Sequence, residues 1–165
     1  MKTVFLGLMA FASLQLAQAS TLNCSVSGPE GVQSLSQKFI GAETKIKLGS
    51  KAGFKIEVAA LSLGKQSVIS AQKKDLKISS ASAGEVVNLR FQNEKEIVEI
   101  LSQDESYPAR LMGFDIEMSH LGDQSVIVAS RGNLKMSSAS AGRDVSNLRI
   151  ERDLDVWEIF CSVKD

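Results

Sequence analysis

Reactive side chains are scarce in this chain. Its 165 residues include one histidine, two cysteines, one tryptophan and one tyrosine. A structural zinc site takes four Cys or His ligands, which a single histidine and two distant cysteines do not supply. The sequence also lacks a Gly-x-Ser-x-Gly elbow and a glycine-rich phosphate loop. We therefore predict no catalytic residue, no metal site and no cofactor, and we expect the lone His120 at the exposed end of a hairpin.

The chain also has no excess of basic over acidic residues. Nineteen Lys and Arg side chains face nineteen Asp and Glu side chains, so the formal net charge is zero. Nucleic-acid binding requires clustered positive charge, and attachment to an anionic membrane surface requires a polybasic segment. The composition therefore predicts neither nucleic acid nor a lipid surface as a partner.

Long apolar runs are absent after the N-terminus. There, Lys2 precedes a mostly apolar stretch over residues 4–16, and Ala17-Gln18-Ala19 has the small-x-small pattern of a cleavage site. This order is typical of a secretory signal peptide. We predict a signal peptide over residues 1–19, cleaved between Ala19 and Ser20. The apolar stretch is too short to span a membrane. The mature chain, residues 20–165, is then expected in the periplasm or outside the cell, without a membrane span.

The two cysteines lie near opposite ends of that mature chain. Cys24 and Cys161 both stand in short apolar segments of strand-like composition. In an oxidising compartment a disulfide is the default. We predict a Cys24–Cys161 bond, which requires the first and last strands to be neighbours. Two free buried thiols, or a lipid anchor on Cys24, are the alternatives.

A segment of nine residues occurs twice in the sequence, with one substitution between the two copies. Residues 76–84 read LKISSASAG and residues 134–142 read LKMSSASAG. Weaker matches extend in both directions, so we predict an internal duplication with repeats at about 51–102 and 109–161. Both repeats lie within a single domain over residues 20–165, and residues 103–109 connect them.

Apolar and polar residues alternate along many short segments. In Phe54-Lys55-Ile56-Glu57-Val58 every second residue is apolar, and Phe114 begins a matching segment in the second repeat. A period of two is the pattern of a half-buried strand, and turn residues recur every eight to twelve positions. The sequence predicts an all-β fold, an antiparallel β-sandwich or barrel of roughly ten strands with pseudo-two-fold symmetry.

The sequence indicates less about function than about fold. We expect an exported, non-catalytic β-protein, a binding or structural module acting on an envelope or secreted protein. Candidate contact regions are the Gln103–Met112 connection and the two Ser/Ala segments, residues 79–84 and 137–142. The alternative for those segments is close packing between layers, and Trp157 is expected in the core more than in a binding surface. Two other functions stay open: a small-ligand carrier with a barrel cavity, and a secreted hydrolase with an unfamiliar carboxylate site.

Overall fold

A computed structural model describes residues 19–83, 86–121, 124–140 and 145–165 of the chain. The predicted signal peptide falls outside these residues except for Ala19, which is exposed and begins the first strand. The described residues contain one short 3-10 helix, Leu63–Lys65, and fourteen strands: β1 Ala19–Gly28, β2 Gly31–Ile40, β3 Glu43–Lys51, β4 Phe54–Leu61, β5 Gln66–Lys73, β6 Leu76–Ala83, β7 Val86–Gln92, β8 Ile97–Leu101, β9 Arg110–Leu111, β10 Phe114–Leu121, β11 Gln124–Arg131, β12 Leu134–Ala139, β13 Val145–Arg152 and β14 Asp155–Lys164.

The strands form two antiparallel sheets. The larger sheet has the order β2-β1-β14-β13-β12-β11-β10-β9, and the smaller has the order β3-β4-β5-β6-β7-β8. The predicted all-β class is thus confirmed. No helix long and apolar enough to cross a membrane occurs in the described ranges.

The core lies between the two sheets. On β4 the apolar residues Phe54, Ile56 and Val58 are fully buried while Lys55 is exposed, as the alternation predicts. Strand β13 of the larger sheet packs on β5 and β6, and β7 of the smaller sheet packs on β11 and β12. One contact between the sheets joins the ring of Phe91 to that of Phe114, whose centroids are 5.7 Å apart. Burial of these alternating faces is the main source of stability.

The two sheets have matching internal order. Strands β3 to β8 follow one another along the smaller sheet, and β9 to β14 do the same along the larger one. The segments that match in sequence occupy β4 and β10, β5 and β11, β6 and β12, and β7 and β13. The larger sheet differs by the hairpin β1–β2, which adds two strands beside β14.

Fourteen strands are present where roughly ten are expected from the sequence. Three of the fourteen, β1 to β3, lie before residue 52, where the sequence shows no repeat. Strand β2 is exposed along almost all of its length, with only Phe39 buried. A strand that buries neither face has no reason to alternate apolar and polar residues, so its sequence carries little of the signal used to find strands.

Two corresponding turns, one in each sheet, place different residues in the same backbone conformation. The loop after β5 places Lys74 at a positive φ of 55°, and the loop after β11 places Gly132 at a φ of 60°. A side chain is disfavoured in this region of backbone conformation, whereas glycine adopts it freely. We expect Lys74→Gly to raise the free energy of unfolding by about 0.5–1 kcal/mol, measured by urea denaturation.

The matched control is Gly132→Ala in the second loop. No atom lies within 4 Å of the position where its Cβ would stand, so any loss reports on backbone conformation alone. We expect it to lower the free energy of unfolding by about 1 kcal/mol. A loss of stability in Lys74→Gly would contradict the conformational argument.

Candidate functional site

The two Ser/Ala segments meet in the interior, at the interface between the sheets. Ser80 of β6 and Ser138 of β12 are both buried, and their Oγ atoms are 2.5 Å apart. Both Oγ atoms also lie within hydrogen-bond distance of the backbone carbonyl of Asn147, at 2.6 and 3.1 Å, so one hydroxyl donates to this carbonyl while the other donates to its serine neighbour. Residues this small let two backbones approach closely, and buried hydroxyls require partners, which they find in one another. Ser80 and Ser138 therefore support the packing interpretation of these segments, whereas Ser79 and Ser137 line depressions on the outer faces. Residues 84 and 141–142 lie outside the described ranges.

A second buried hydroxyl pair lies beside the disulfide. Ser67 Oγ donates to Ser146 Oγ at 3.0 Å and lies 3.1 Å from the carbonyl of Cys161, and Ser146 Oγ donates to the carbonyl of Ser67 at 2.5 Å. These bonds join β5 of the smaller sheet to β13 and β14 of the larger one. The interior is thus apolar, with a small layer of buried hydroxyls that hydrogen-bond one sheet to the other.

The structure joins Cys24 and Cys161 by a disulfide, the pairing that the sequence favours. The two residues are directly opposite in the β1–β14 ladder, with Cα atoms 4.2 Å apart. That separation is typical of the non-hydrogen-bonded pairs of an antiparallel ladder. The bond therefore crosses two neighbouring strands and fastens the first strand to the last.

Trp157 contacts the tip of the β1–β2 hairpin. Its Nε1 donates to Glu30 Oε2 at 3.1 Å, and a Cβ on Gly28 would stand 2.5 Å from its ring, so only glycine fits there. The buried Lys51 ammonium binds the other oxygen of Glu30. The hydrogen bond from Lys51 holds the pKa of Glu30 below its usual range. Trp157 is half-buried against the core, which fits a packing role.

The Gln103–Met112 connection is ordered by its own contacts. Asp104 Oδ2 accepts from the backbone N–H of Leu101 at 2.8 Å, and the hydroxyl of Tyr107 accepts from the N–H of Met118 at 3.1 Å. Tyr107 is half-buried and packs on the core, whereas Glu105 and Arg110 are exposed. The connection therefore offers polar surface but no exposed aromatic anchor.

His120 lies on an exposed strand end, as expected. Its Nδ1 is 3.0 Å from Ser125 Oγ, on the directly opposite residue of β11. Within the described ranges, no group of three or more His, Cys, Asp or Glu residues could hold a metal ion.

The outer face of the larger sheet carries an open depression of about 370 Å³ over β2, β1 and β14. We call it the serine depression. Side chains on its outer surface are small and polar, with Phe160 as the aromatic member, 42% exposed. The lining as a whole contains no charged side chain: Asn23, Cys24, Ser25, Ser34, Leu35, Ser36, Val145, Phe160, Cys161 and Ser162. Ser36 Oγ donates to Asn23 Oδ1 at 2.8 Å, so β2 and β1 are also linked through side chains here.

The outer face of the smaller sheet has a different character. Two open depressions on it, of about 450 and 430 Å³, are lined by charges of both signs, which include Lys47, Lys55, Lys77, Glu57 and Arg90. A face of mixed, evenly spread charge is typical of a solvated strand surface. The uncharged serine depression is the exception among these outer faces.

Sequence reasoning did not find this depression. Phe160 alternates with the buried Ile159 and Cys161, so its outward direction could have been read from the alternation. The predicted disulfide also implies that β1 lies beside β14, but the position of β2 next to β1 is not encoded in any pattern that the sequence analysis used.

No protein-family model matches this chain, and a search of curated proteins finds no significant match.

Proposed function

We propose that this chain is an exported, non-catalytic β-protein that binds another envelope or secreted protein through the serine depression. The observation that carries the proposal is the combination of an uncharged lining with one exposed aromatic ring, Phe160. The non-catalytic part of the proposal rests on the scarcity of reactive side chains in the sequence.

The chemistry of the lining favours a protein as the partner. Ser and Asn side chains supply adaptable hydrogen bonds, and an aromatic ring supplies contact area at a low entropic cost, as in antibody paratopes. Hot spots at protein interfaces are enriched in such anchors. A phosphate-bearing partner would need Lys or Arg, and the lining contains neither.

Export is the second part of the proposal. It is supported by the N-terminal sequence, in which Lys2 and an apolar stretch precede Ala17-Gln18-Ala19. The Cys24–Cys161 disulfide fits an oxidising compartment, where such bonds persist.

We also propose that the two sheets form a sandwich built from a duplicated unit. The matching strand order of β3–β8 and β9–β14 supports this origin. The contact between Ser80 and Ser138 supports it as well, because these are equivalent residues of the two repeats. Equivalent residues touch each other where a two-fold axis passes between two units.

The test is photo-crosslinking of the partner protein, compared between the native chain and the Phe160→Ser variant. The disulfide-bonded chain carries a photo-crosslinking residue in place of Ser25, inside the depression, and is exposed to the native extracytoplasmic fraction. We expect a discrete protein adduct, and Phe160→Ser should weaken its formation by at least about tenfold, as expected when a hot-spot ring is removed.

The matched control is Ile97→Ser. Ile97 is another exposed apolar residue, 54% accessible, but lies on β8 of the smaller sheet. The Ile97→Ser substitution should leave the yield of the adduct unchanged. An adduct that persists in Phe160→Ser, or a glycan in place of a protein, would overturn the proposed function.

A further inference from the structure

Strand β2 forms an unprotected edge of the larger sheet. In the described ranges it pairs only with β1, so alternate residues along its ten-residue length present free backbone N–H and C=O groups on the other side. Natural proteins protect such edges with charges, bulges or very short strands. Strand β2 has little of this protection, since it is ten residues long, its ladder with β1 contains no bulge, and Lys38 is its only charged residue.

The other three sheet edges carry these devices. Strand β9 has two residues and β8 has five. Strand β3 carries Glu43, Lys45 and Lys47, and its ladder with β4 shifts register between Lys47 and Gly49. Strand β2 is therefore the longest of the four edges and the one best suited to pair with a further strand.

The ladder geometry shows which backbone groups of β2 are free. Because Cys24 faces Cys161 as a non-hydrogen-bonded pair, its own N–H and C=O point away from β14 and toward β2. Its partner Leu35 is thus hydrogen-bonded to β1, as are the other odd-numbered residues of β2. The groups that point to the free edge belong to the even-numbered residues: Val32, Ser34, Ser36, Lys38 and Ile40.

We propose that two copies of this chain pair edge to edge through β2, antiparallel about a two-fold axis at Ser36. In this register Ser36 pairs with its own copy, Ser34 with Lys38, and Val32 with Ile40. All five free residues then find partners, whereas moving the axis to Leu35 would pair only four. A two-fold axis perpendicular to the sheet closes the assembly at two copies.

The side chains of β2 fit a second copy. Val32 and Ile40 are 72% and 75% exposed, lie on the same face, and stand four residues on either side of Ser36. The two-fold therefore brings each against the other, where directly opposed apolar residues stabilise a ladder. Leu35, 43% exposed on the opposite face, would gain Gln37 of the second copy as its neighbour.

Charge does not oppose this pairing. Lys38 would face the neutral Ser34 instead of its own copy, and the chain as a whole has no net charge. Two identical edges of equal length, in which each single lysine faces a serine, are self-complementary, which favours a second copy over an unrelated strand.

Pairing would also enlarge the binding surface. Ser34 and Ser36 line the serine depression, so the two depressions would meet across the axis and form one continuous groove. This consequence rests on the proposed function, whereas the pairing itself does not.

The test is sedimentation equilibrium of the mature, disulfide-bonded chain. We expect a reversible monomer–dimer equilibrium. Ser36→Pro removes an outward N–H from each copy at the axis and no backbone bond to β1, and proline is tolerated on edge strands. The side-chain bond from Ser36 to Asn23 is lost as well, so Ser36→Ala, which loses only that bond, is the matched control. Ser36→Pro should raise the dimer dissociation constant at least about tenfold, because two hydrogen bonds and the close approach are lost.

Two substitutions of Ser34 test the register. Opposite Lys38, Ser34→Glu should tighten the dimer, and Ser34→Lys should weaken it by like-charge repulsion. These variants remain informative if Ser36→Pro does not fold. A chain that stays monomeric at millimolar concentration, or Ser34 variants that shift the constant equally, would overturn the pairing. Loss of capture in Phe160→Ser from a monomeric chain would leave the proposed function intact.

Discussion

Replacing Cys24 and Cys161 together by alanine is expected to lower the free energy of unfolding by about 5 kcal/mol. The bond joins residues 137 positions apart, so it removes a large loop-closure entropy from the unfolded chain. Domains of this size are stable by about 5–15 kcal/mol in total. The loss is therefore a large fraction of the whole, and the measurement is guanidinium denaturation of the variant beside the oxidised native chain.

Reduction of the native chain provides the control. With a thiol reductant, its unfolding midpoint should approach that of the double alanine variant, since both lack the same link. A variant that unfolds within about 1 kcal/mol of the oxidised chain would contradict the assigned role of the bond.

Among substitutions in the repeated segment, Ser138→Leu should lower the free energy of unfolding the most. The Oγ atom of Ser138 lies 2.5 Å from that of Ser80 in the facing sheet, so the interface has no room for three additional carbon atoms. Overpacking costs about 1–3 kcal/mol, and the loss of buried hydrogen bonds adds to it. We expect a loss of roughly 2–4 kcal/mol in the free energy of unfolding, measured by urea denaturation.

The neighbouring Ser137→Leu serves as the matched control. Ser137 lies in the same segment but is half-exposed and lines an outer depression. Its replacement should change stability by no more than about 0.5 kcal/mol. If both variants were equally stable, the segments would not be the site of closest packing, and a ligand role would need to be considered again.

Much of the fold follows from local pattern. The alternation in Phe54–Val58 and in its counterpart after Phe114 predicts which side chains are buried, because a strand turns successive side chains to opposite faces. The disulfide could be predicted from two cysteines in a chain whose N-terminal sequence predicts export. The packing role of the Ser/Ala segments could be favoured from their composition, because small residues without an anchor fit a tight interface.

The candidate site could not be predicted in the same way. The predicted disulfide places β1 beside β14, but the serine depression also depends on β2, which pairs with β1 and forms its third wall. Alternation tells which face of a strand is buried but not which strand is its neighbour. Strand β2 is also exposed on both faces, so nothing in its sequence distinguishes it from a polar loop.

Strand β2 is both a wall of the serine depression and the free edge of the larger sheet. Amide hydrogen exchange along it, measured at protein concentrations below and above the dimer dissociation constant, therefore tests the account most directly. We predict that the amides of Val32, Ser34, Ser36, Lys38 and Ile40 gain at least about tenfold protection at the higher concentration. The odd-numbered amides, already bonded to β1, should change little. Equal exchange at both concentrations, or new protection confined to another strand, would contradict the proposed pairing of two copies through β2.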